Sequence, residues 1–353
     1  MDADSIVGAG HFNRTLQMAR KLTQCGYRVN YLVRRPISPF IDHSLSCFRI
    51  QYRFLREPTL VRVKDNLDSW LGVHPAQELE EVVTLCGVEK PTLLIVDHYG
   101  YSPQMVEALV NKISIKIVVF DDFSCHAINK ALLIRQFGNH QVGRNIISGP
   151  SFLFFSEELK YCRMKRLDRI GLHGRNRVSD LIIDLGTLEQ SLFKNLSKMI
   201  DYACNQTILN FRRIAIVSLS PCMFRAVTEL VSAKRTEKVI YLVARGDQDQ
   251  YFEWLHSADI CFGACGISAW ERAYLNLPSF TWTTAENQKK NLQNLSSLGI
   301  VRDCGAFEDF NTKILEREML DLRLKDFYAA FGLFDLDDHG LDRTLAKIAQ
   351  SDF

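Results

Sequence analysis

Near the start of the chain stands Gly8-Ala9-Gly10-His11-Phe12-Asn13-Arg14. Two glycines let a backbone approach a ligand closely. A helix beginning behind them aims N–H groups and a partial positive charge at that ligand. His11 at such a tip can take or give a proton near neutral pH, and Arg14 stands about one turn further on. A dinucleotide fingerprint needs a third glycine, where Asn13 stands, and an acid about 20 residues on, where the chain has Asn30 and Tyr31. NAD is therefore not expected. The competing reading is a helix-capping histidine and a surface arginine.

Two further groupings can do chemistry. Asp97-His98-Tyr99-Gly100-Tyr101-Ser102 sets an acid, an imidazole and a phenol side by side after an apolar run. These can hold a sugar or orient a base, and Asp97 can fix a histidine tautomer; they also suit a plain hydrogen-bonded loop. The segment from Ala258 to Ala273 reads as strand, glycine-rich turn and helix. The N–H groups of Gly266, Ile267 and Ser268 can cradle a diphosphate there, and Glu271, one turn on, can accept hydrogen bonds from a ribose. Glu286-Asn287-Gln288 opens another helix, with side-chain amides for a phosphate, base or sugar, or with Asn287 as N-cap.

The elements around these groupings alternate. Leu16, Ala19 and Leu22 lie at helical spacing, closed by Gly26. Residues 28–33 read as a strand and Gln77 to Leu85 as a helix. Thr92–Val96 and Ile115–Phe120 are apolar runs ending in Asp97 and in Asp121-Asp122. Runs without alternation fit a parallel sheet covered on both faces, and ligands gather at the carboxyl ends of its strands. A basic stretch follows, with Lys160, Arg163, Lys165, Arg166, Arg169, Arg175 and Arg177, and reads as a solvated linker. The rhythm then restarts. Leu181–Asp184 leads to Gly186-Thr187 and a helix from Leu188 to about Ala203, and Ile214–Leu219, Val239–Val243 and Ile260–Phe262 read as strands. The expectation is two α/β halves divided near residues 155–178.

Composition agrees. A length of 353 residues suggests about two domains. The 43 basic and 41 acidic residues give +2, so no nucleic-acid partner is expected. No apolar run reaches the roughly 20 residues of a membrane span, and no signal peptide is visible. The 10 cysteines form no CxxC pair, which points to reduced thiols, a cytoplasmic setting and no zinc. Asp2-Ala3-Asp4 resembles a metal-binding DxD but does not follow a strand, so neither metal nor cofactor is expected.

Taken in order, five phrases resemble a known family: Gly8-x-Gly10-His11-x-x-Arg14, Val96-Asp97-His98-Tyr99, Phe120-Asp121-Asp122, Ser268-Ala269-Trp270-Glu271 and Glu286-Asn287-Gln288. They resemble the UDP-sugar hydrolases of the pseudaminic acid pathway, the SpsG-like family, from residue 2 to about 347. The resemblance implies two Rossmann-like domains in a glycosyltransferase-B-like fold. It places a sugar and catalytic domain at 1–155, a linker at 156–178, a UDP-binding domain at 179–330 and, at 331–353, a C-terminal helix returning to the first domain. It implies hydrolysis of UDP-2,4-diacetamido-2,4,6-trideoxy-β-L-altrose with inversion and without metal. His11 matches the family's catalytic histidine and Tyr99 its active-site tyrosine. Ser268, Glu271, Asn287 and Gln288 match its nucleotide-binding positions. Asp97 joins the expected catalytic set, and Gly10, Arg14, His98, Gly266 and Ile267 the expected substrate contacts.

Departures from the family bear on this. An apolar strand ahead of Asp2 is missing, so the chain is expected to lack the first strand. Leu185-Gly186 replaces a glycine pair and is expected to crowd the ligand, and Gly266-Ile267 replaces a glycine-serine step. A glycosyltransferase using a UDP-sugar, or a homologue that binds the nucleotide sugar without turnover, are the alternatives.

Overall fold

The computed structural model describes residues 10–34, 39–63, 66–122, 128–137, 141–173, 178–186, 188–209, 211–218, 221–244, 247–322, 324–333 and 336–351. The expectations placed on Asp2-Ala3-Asp4, Gly8, Thr187, Arg175 and Arg177 lie outside them. The chain divides into two units: residues 1–154 with 337–353, and residues 155–336.

Unit 1 carries β1 (Asn30–Val33), β2 (Gln51–Phe54), β3 (Leu93–Val96), β4 (Lys116–Phe120), β5 (Leu132–Arg135), β6 (Gln141–Val142) and β7 (Ile146–Ser148). β1 and β2 pair in parallel, and the other five run in the order β3-β4-β5-β7-β6, parallel except for β6. β4 shows why its sequence lacks alternation. Ile117 and Val119 pack with Leu79, Val82 and Leu109 on one face. Val118 and Phe120 pack with Met18 and Ile348 on the other. Two covered faces leave no polar position from Ile117 to Phe120.

The helix Gly10–Gln24 serves two cores, with Phe12, Leu16 and Ala19 against β1 and Met18 against β4 and β5. The closing helix, Gly340–Gln350, belongs to unit 1. It docks through Ile348, through Arg343 on the Ser151 carbonyl and Asp337, and through Lys116 on the Ser351 carbonyl at 2.8 Å. Gly340 sits against the Leu153 backbone, where a Cβ has no room.

Unit 2 carries β8 (Asp180–Asp184), β9 (Arg213–Ser218), β10 (Val239–Ala244), β11 (Ile260–Ala264), β12 (Ser279–Thr283) and β13 (Val301–Ala306). All are parallel, in the order β10-β9-β8-β11-β12-β13. The strand order reverses between β8 and β11, the doubly wound pattern with its ligand crevice at that point.

The stretch read as a solvated linker is instead largely a helix, Glu157–His173, inside unit 2. Arg166 is fully buried and donates to the carbonyls of Ala258, His256 and Asn276. Burial pulls its guanidinium down to about 10. Arg169 bridges to Asp259 at 3.0 Å, and Arg163 lies over the Tyr274 ring. Basic side chains here bury their stems and cap distant carbonyls, a pattern with no local signature. Among the described residues no helix is long and apolar enough to cross a membrane.

Candidate functional site

Unit 1 gathers charged side chains at three strand ends. Asp97 follows β3, Asp122 lies just past β4 and Gln136 follows β5. Into this row the helix Gly10–Gln24 projects His11 and, one turn on, Arg14. His11 Nδ1 lies 2.6 Å from Asp97 Oδ1. Arg14 grips the same carboxylate with two N–H groups, Nε to Oδ2 at 2.7 Å and Nη2 to Oδ1 at 2.6 Å. Its Nη1 reaches Asp122 Oδ2 at 2.8 Å and Gln136 Oε1 at 3.2 Å, and its plane lies over Phe120. Gln136 donates its backbone N–H to Asp122 Oδ1 and its side-chain amide to the Phe152 carbonyl. His11, Arg14, Asp97, Asp122 and Gln136 are all buried.

The electrostatics follow. Burial by itself raises the Asp97 carboxyl, but the Arg14 guanidinium and His11 outweigh it and hold the group well below the usual carboxylate range. An ionised Asp97 can only accept, so His11 donates through Nδ1, and in its neutral form it presents the bare lone pair of Nε2. Nε2 has no hydrogen-bond partner among the described residues. The arrangement is an acid-oriented imidazole able to take a proton.

Aromatic rings bound it. Tyr99 stands edge-on to His11 with centroids 4.1 Å apart, and Trp70 lies 6.5 Å from His11. The Tyr99 hydroxyl reaches Asp122 Oδ2 at 3.0 Å. Burial and then the Asp122 charge push its phenol well above the ordinary range.

Two expected substrate contacts in this unit are corrected. Arg14 is only 4% exposed and its donors point to Asp97, Asp122 and Gln136, so it holds the carboxylates together rather than facing a ligand. His98 folds over its own turn, its Nδ1 accepting the Gly100 N–H at 3.1 Å and its ring beside Tyr101. Sequence reasoning left out Asp122, Gln136 and Trp70 as site residues. The first two carried a signal, a polar residue after an apolar strand; Trp70, on the short turn Leu67–Leu71, carried none.

Unit 2 offers a backbone site. β11 feeds Cys265-Gly266 and the helix Ile267–Tyr274, next to the switch point. Gly266 is the N-cap and no side chain caps the helix, so its first N–H groups are available to an anion. The turn is held from behind. Asn291 Nδ2 bonds the Cys265 carbonyl at 2.9 Å, and Asn291 Oδ1 accepts from Trp270 Nε1 at 2.7 Å. Arg272, fully buried, reaches Ser268 Oγ, Ser279 Oγ and the Ala264 carbonyl. A Cβ at Gly263 would lie 2.6 Å from that guanidinium, so a side chain there would have to displace it.

Gln288 turns back onto Thr284, and its Nε2 is 3.9 Å from a Cβ built at Gly266. Gly266, Ile267, Ser268 and Glu271 are half-buried around the turn. Asn287 is exposed in the middle of a short turn whose N-cap is Ala285, so it does not cap the helix. Leu185, expected to crowd a ligand, is buried in the unit 2 core, while Gly186 turns with φ +65° and donates to Asp184 Oδ1. Asn291, which shapes the turn from 25 residues away, had no sequence signal.

The sequence matches no protein-family model and no curated protein. Solved structures do match over nearly the whole chain. MurG of Acinetobacter baumannii has a TM-score of 0.69 at 13% identity, covering 97% of this chain and 96% of its own. The spinosyn rhamnosyltransferase SpnG complexed with thymidine diphosphate has a TM-score of 0.59 at 13% identity, covering 96% and 97%. A UDP-GlcNAc 2-epimerase from Neisseria meningitidis bound to UDP-GlcNAc has a TM-score of 0.56 at 10% identity, covering 96% and 97%. The chain thus has the two-domain α/β fold of the glycosyltransferase-B type, as the sequence reading expected.

Proposed function

We propose that the protein acts on a nucleoside-diphosphate sugar, with His11 as the base that takes the proton of the attacking hydroxyl. The observation that carries this is the His11–Asp97 pair locked by Arg14. The hydroxyl oxygen forms a bond to the anomeric carbon, and the bond from that carbon to the diphosphate oxygen breaks. The electron pair leaves with the nucleoside diphosphate, and the hydroxyl proton passes to Nε2 of His11. Charge develops on the departing diphosphate; within unit 2, the uncapped N–H groups behind Gly266 are of the kind that stabilises such an anion.

Glycosyl transfer to an acceptor hydroxyl is the reading supported by the fold neighbours, among them a rhamnosyltransferase bound to thymidine diphosphate. Water as the attacking group, giving hydrolysis of a UDP-2,4-diacetamido-trideoxy sugar, is the second reading. It draws on the five phrases that resemble the pseudaminic acid pathway hydrolases. The test is nucleoside-diphosphate release from that UDP-sugar, UDP-GlcNAc and a thymidine-diphosphate sugar, with and without sugar acceptors, followed by proton NMR of the anomeric centre. Acceptor-dependent release establishes transfer, and release into water alone establishes hydrolysis. No release from any of them by folded, nucleotide-binding protein overturns the catalytic reading.

A further inference from the structure

We propose that Asp122 is a positioning residue that fixes the Tyr99 phenol as a hydrogen-bond acceptor beside His11. The inference rests on the reading of His11 as the base and adds what Tyr99 does there.

Asp122 receives three donors: the Gln136 N–H on Oδ1 at 3.0 Å, and Arg14 Nη1 and the Tyr99 hydroxyl on Oδ2 at 2.8 and 3.0 Å. A carboxylate sharing an arginine has no proton of its own to give. The hydrogen between Tyr99 and Asp122 therefore belongs to the phenol and points at Asp122. What the phenol oxygen offers elsewhere is a lone pair. Asp97 commits Nδ1 of His11 in the same way, so two rings 4.1 Å apart both present acceptors.

Arg14 ties the two carboxylates into one unit, bonding Asp97 and Asp122 with one guanidinium. The group that meets Tyr99 must then be a donor, a hydroxyl, an amide N–H or a water, and not a phosphate oxygen or a carbonyl. This assigns Tyr99 to a sugar hydroxyl or the attacking group rather than to the diphosphate.

Two measurements test it. The first needs no substrate: carbon-13 NMR of tyrosine labelled at Cζ, with the Tyr99 signal identified by its loss in Tyr99→Phe. The Tyr99 signal should stay at the protonated position past the ordinary tyrosine value of about 10, and should titrate earlier in Asp122→Asn. A Tyr99 that ionises together with exposed tyrosines in the native protein overturns the proposal, whether or not Asp122→Asn folds. The second is a double-mutant cycle on nucleoside-diphosphate release. Tyr99→Phe should lower kcat/KM by roughly tenfold. Asp122→Asn should lower it at least as far, because its amide can turn the phenolic hydrogen outward. The two losses should not multiply when combined. Losses that multiply, with equal falls in Tm, mean that Asp122 acts on the fold alone. Absence of turnover in the native protein would overturn the reading of His11 while the NMR measurement still decides the Asp122–Tyr99 assignment.

Discussion

The two units solve different problems with different materials. Unit 1 fixes a proton's position with buried charges drawn from across the chain: Asp97 lies 86 residues from His11, and Gln136 lies 122 from Arg14. Unit 2 prepares for an anion with backbone N–H groups supplied by one strand–turn–helix. A proton site needs a defined protonation state, which burial, neighbouring charges and hydrogen bonds impose together. An anion site needs unbonded N–H groups, which any uncapped helix start supplies. The first should therefore be fragile toward single substitutions, and the second should degrade gradually.

The largest effect is expected in unit 1. His11→Asn should lower turnover by roughly 10²–10⁴-fold while nucleotide affinity, followed by calorimetry, holds. Equal losses in both would make His11 a ligand contact instead. Arg14→Met should leave two carboxylates buried without their cation and destabilise the fold by about 3–5 kcal/mol, read by denaturant unfolding. A stability near that of the native protein would show that the carboxylates do not depend on Arg14.

In unit 2, Glu271→Ala should weaken nucleoside-diphosphate binding by about tenfold with Tm unchanged, and unchanged affinity would remove Glu271 from the site. Gly186→Ala should cost only about 1–2 kcal/mol, the price of a left-handed residue with a side chain.

The smallest effect is a pH dependence. The Asp97 carboxyl is held below its unfolded value of about 3.9. Its stabilising contribution is thus fully present above that value and lost only as pH falls further, through the lowered native value. The stability gap between native protein and Asp97→Asn should be flat from about pH 5 to 8 and narrow only in acid. A gap that narrows near neutrality would point to a different titrating group.

The same contrast decides what the sequence could reveal. The glycine turn at Gly266 was legible because its parts are adjacent, and so were β3, β4 and β8 as apolar runs ending in acids. Asp97 and His11 were legible as chemistry but not as a pair, since pairing depends on how the helix Gly10–Gln24 meets the end of β3. Arg14 was misread as a ligand contact because its three partners lie at separate strand ends. Arg166 was misread as solvated for the same reason, its carbonyl partners being 90 to 110 residues away. Leu185 looked obstructive beside Gly186, yet its side chain packs into the unit 2 core.

The most direct test of the central claim is the tautomer of His11. Nitrogen-15 NMR of the neutral imidazole, with the signal identified by its loss in His11→Asn, reads which ring nitrogen carries hydrogen. The account predicts hydrogen on Nδ1, facing Asp97, and a bare Nε2 available to take a proton. Hydrogen found on Nε2 would contradict it and would make His11 a donor to its ligand rather than a base.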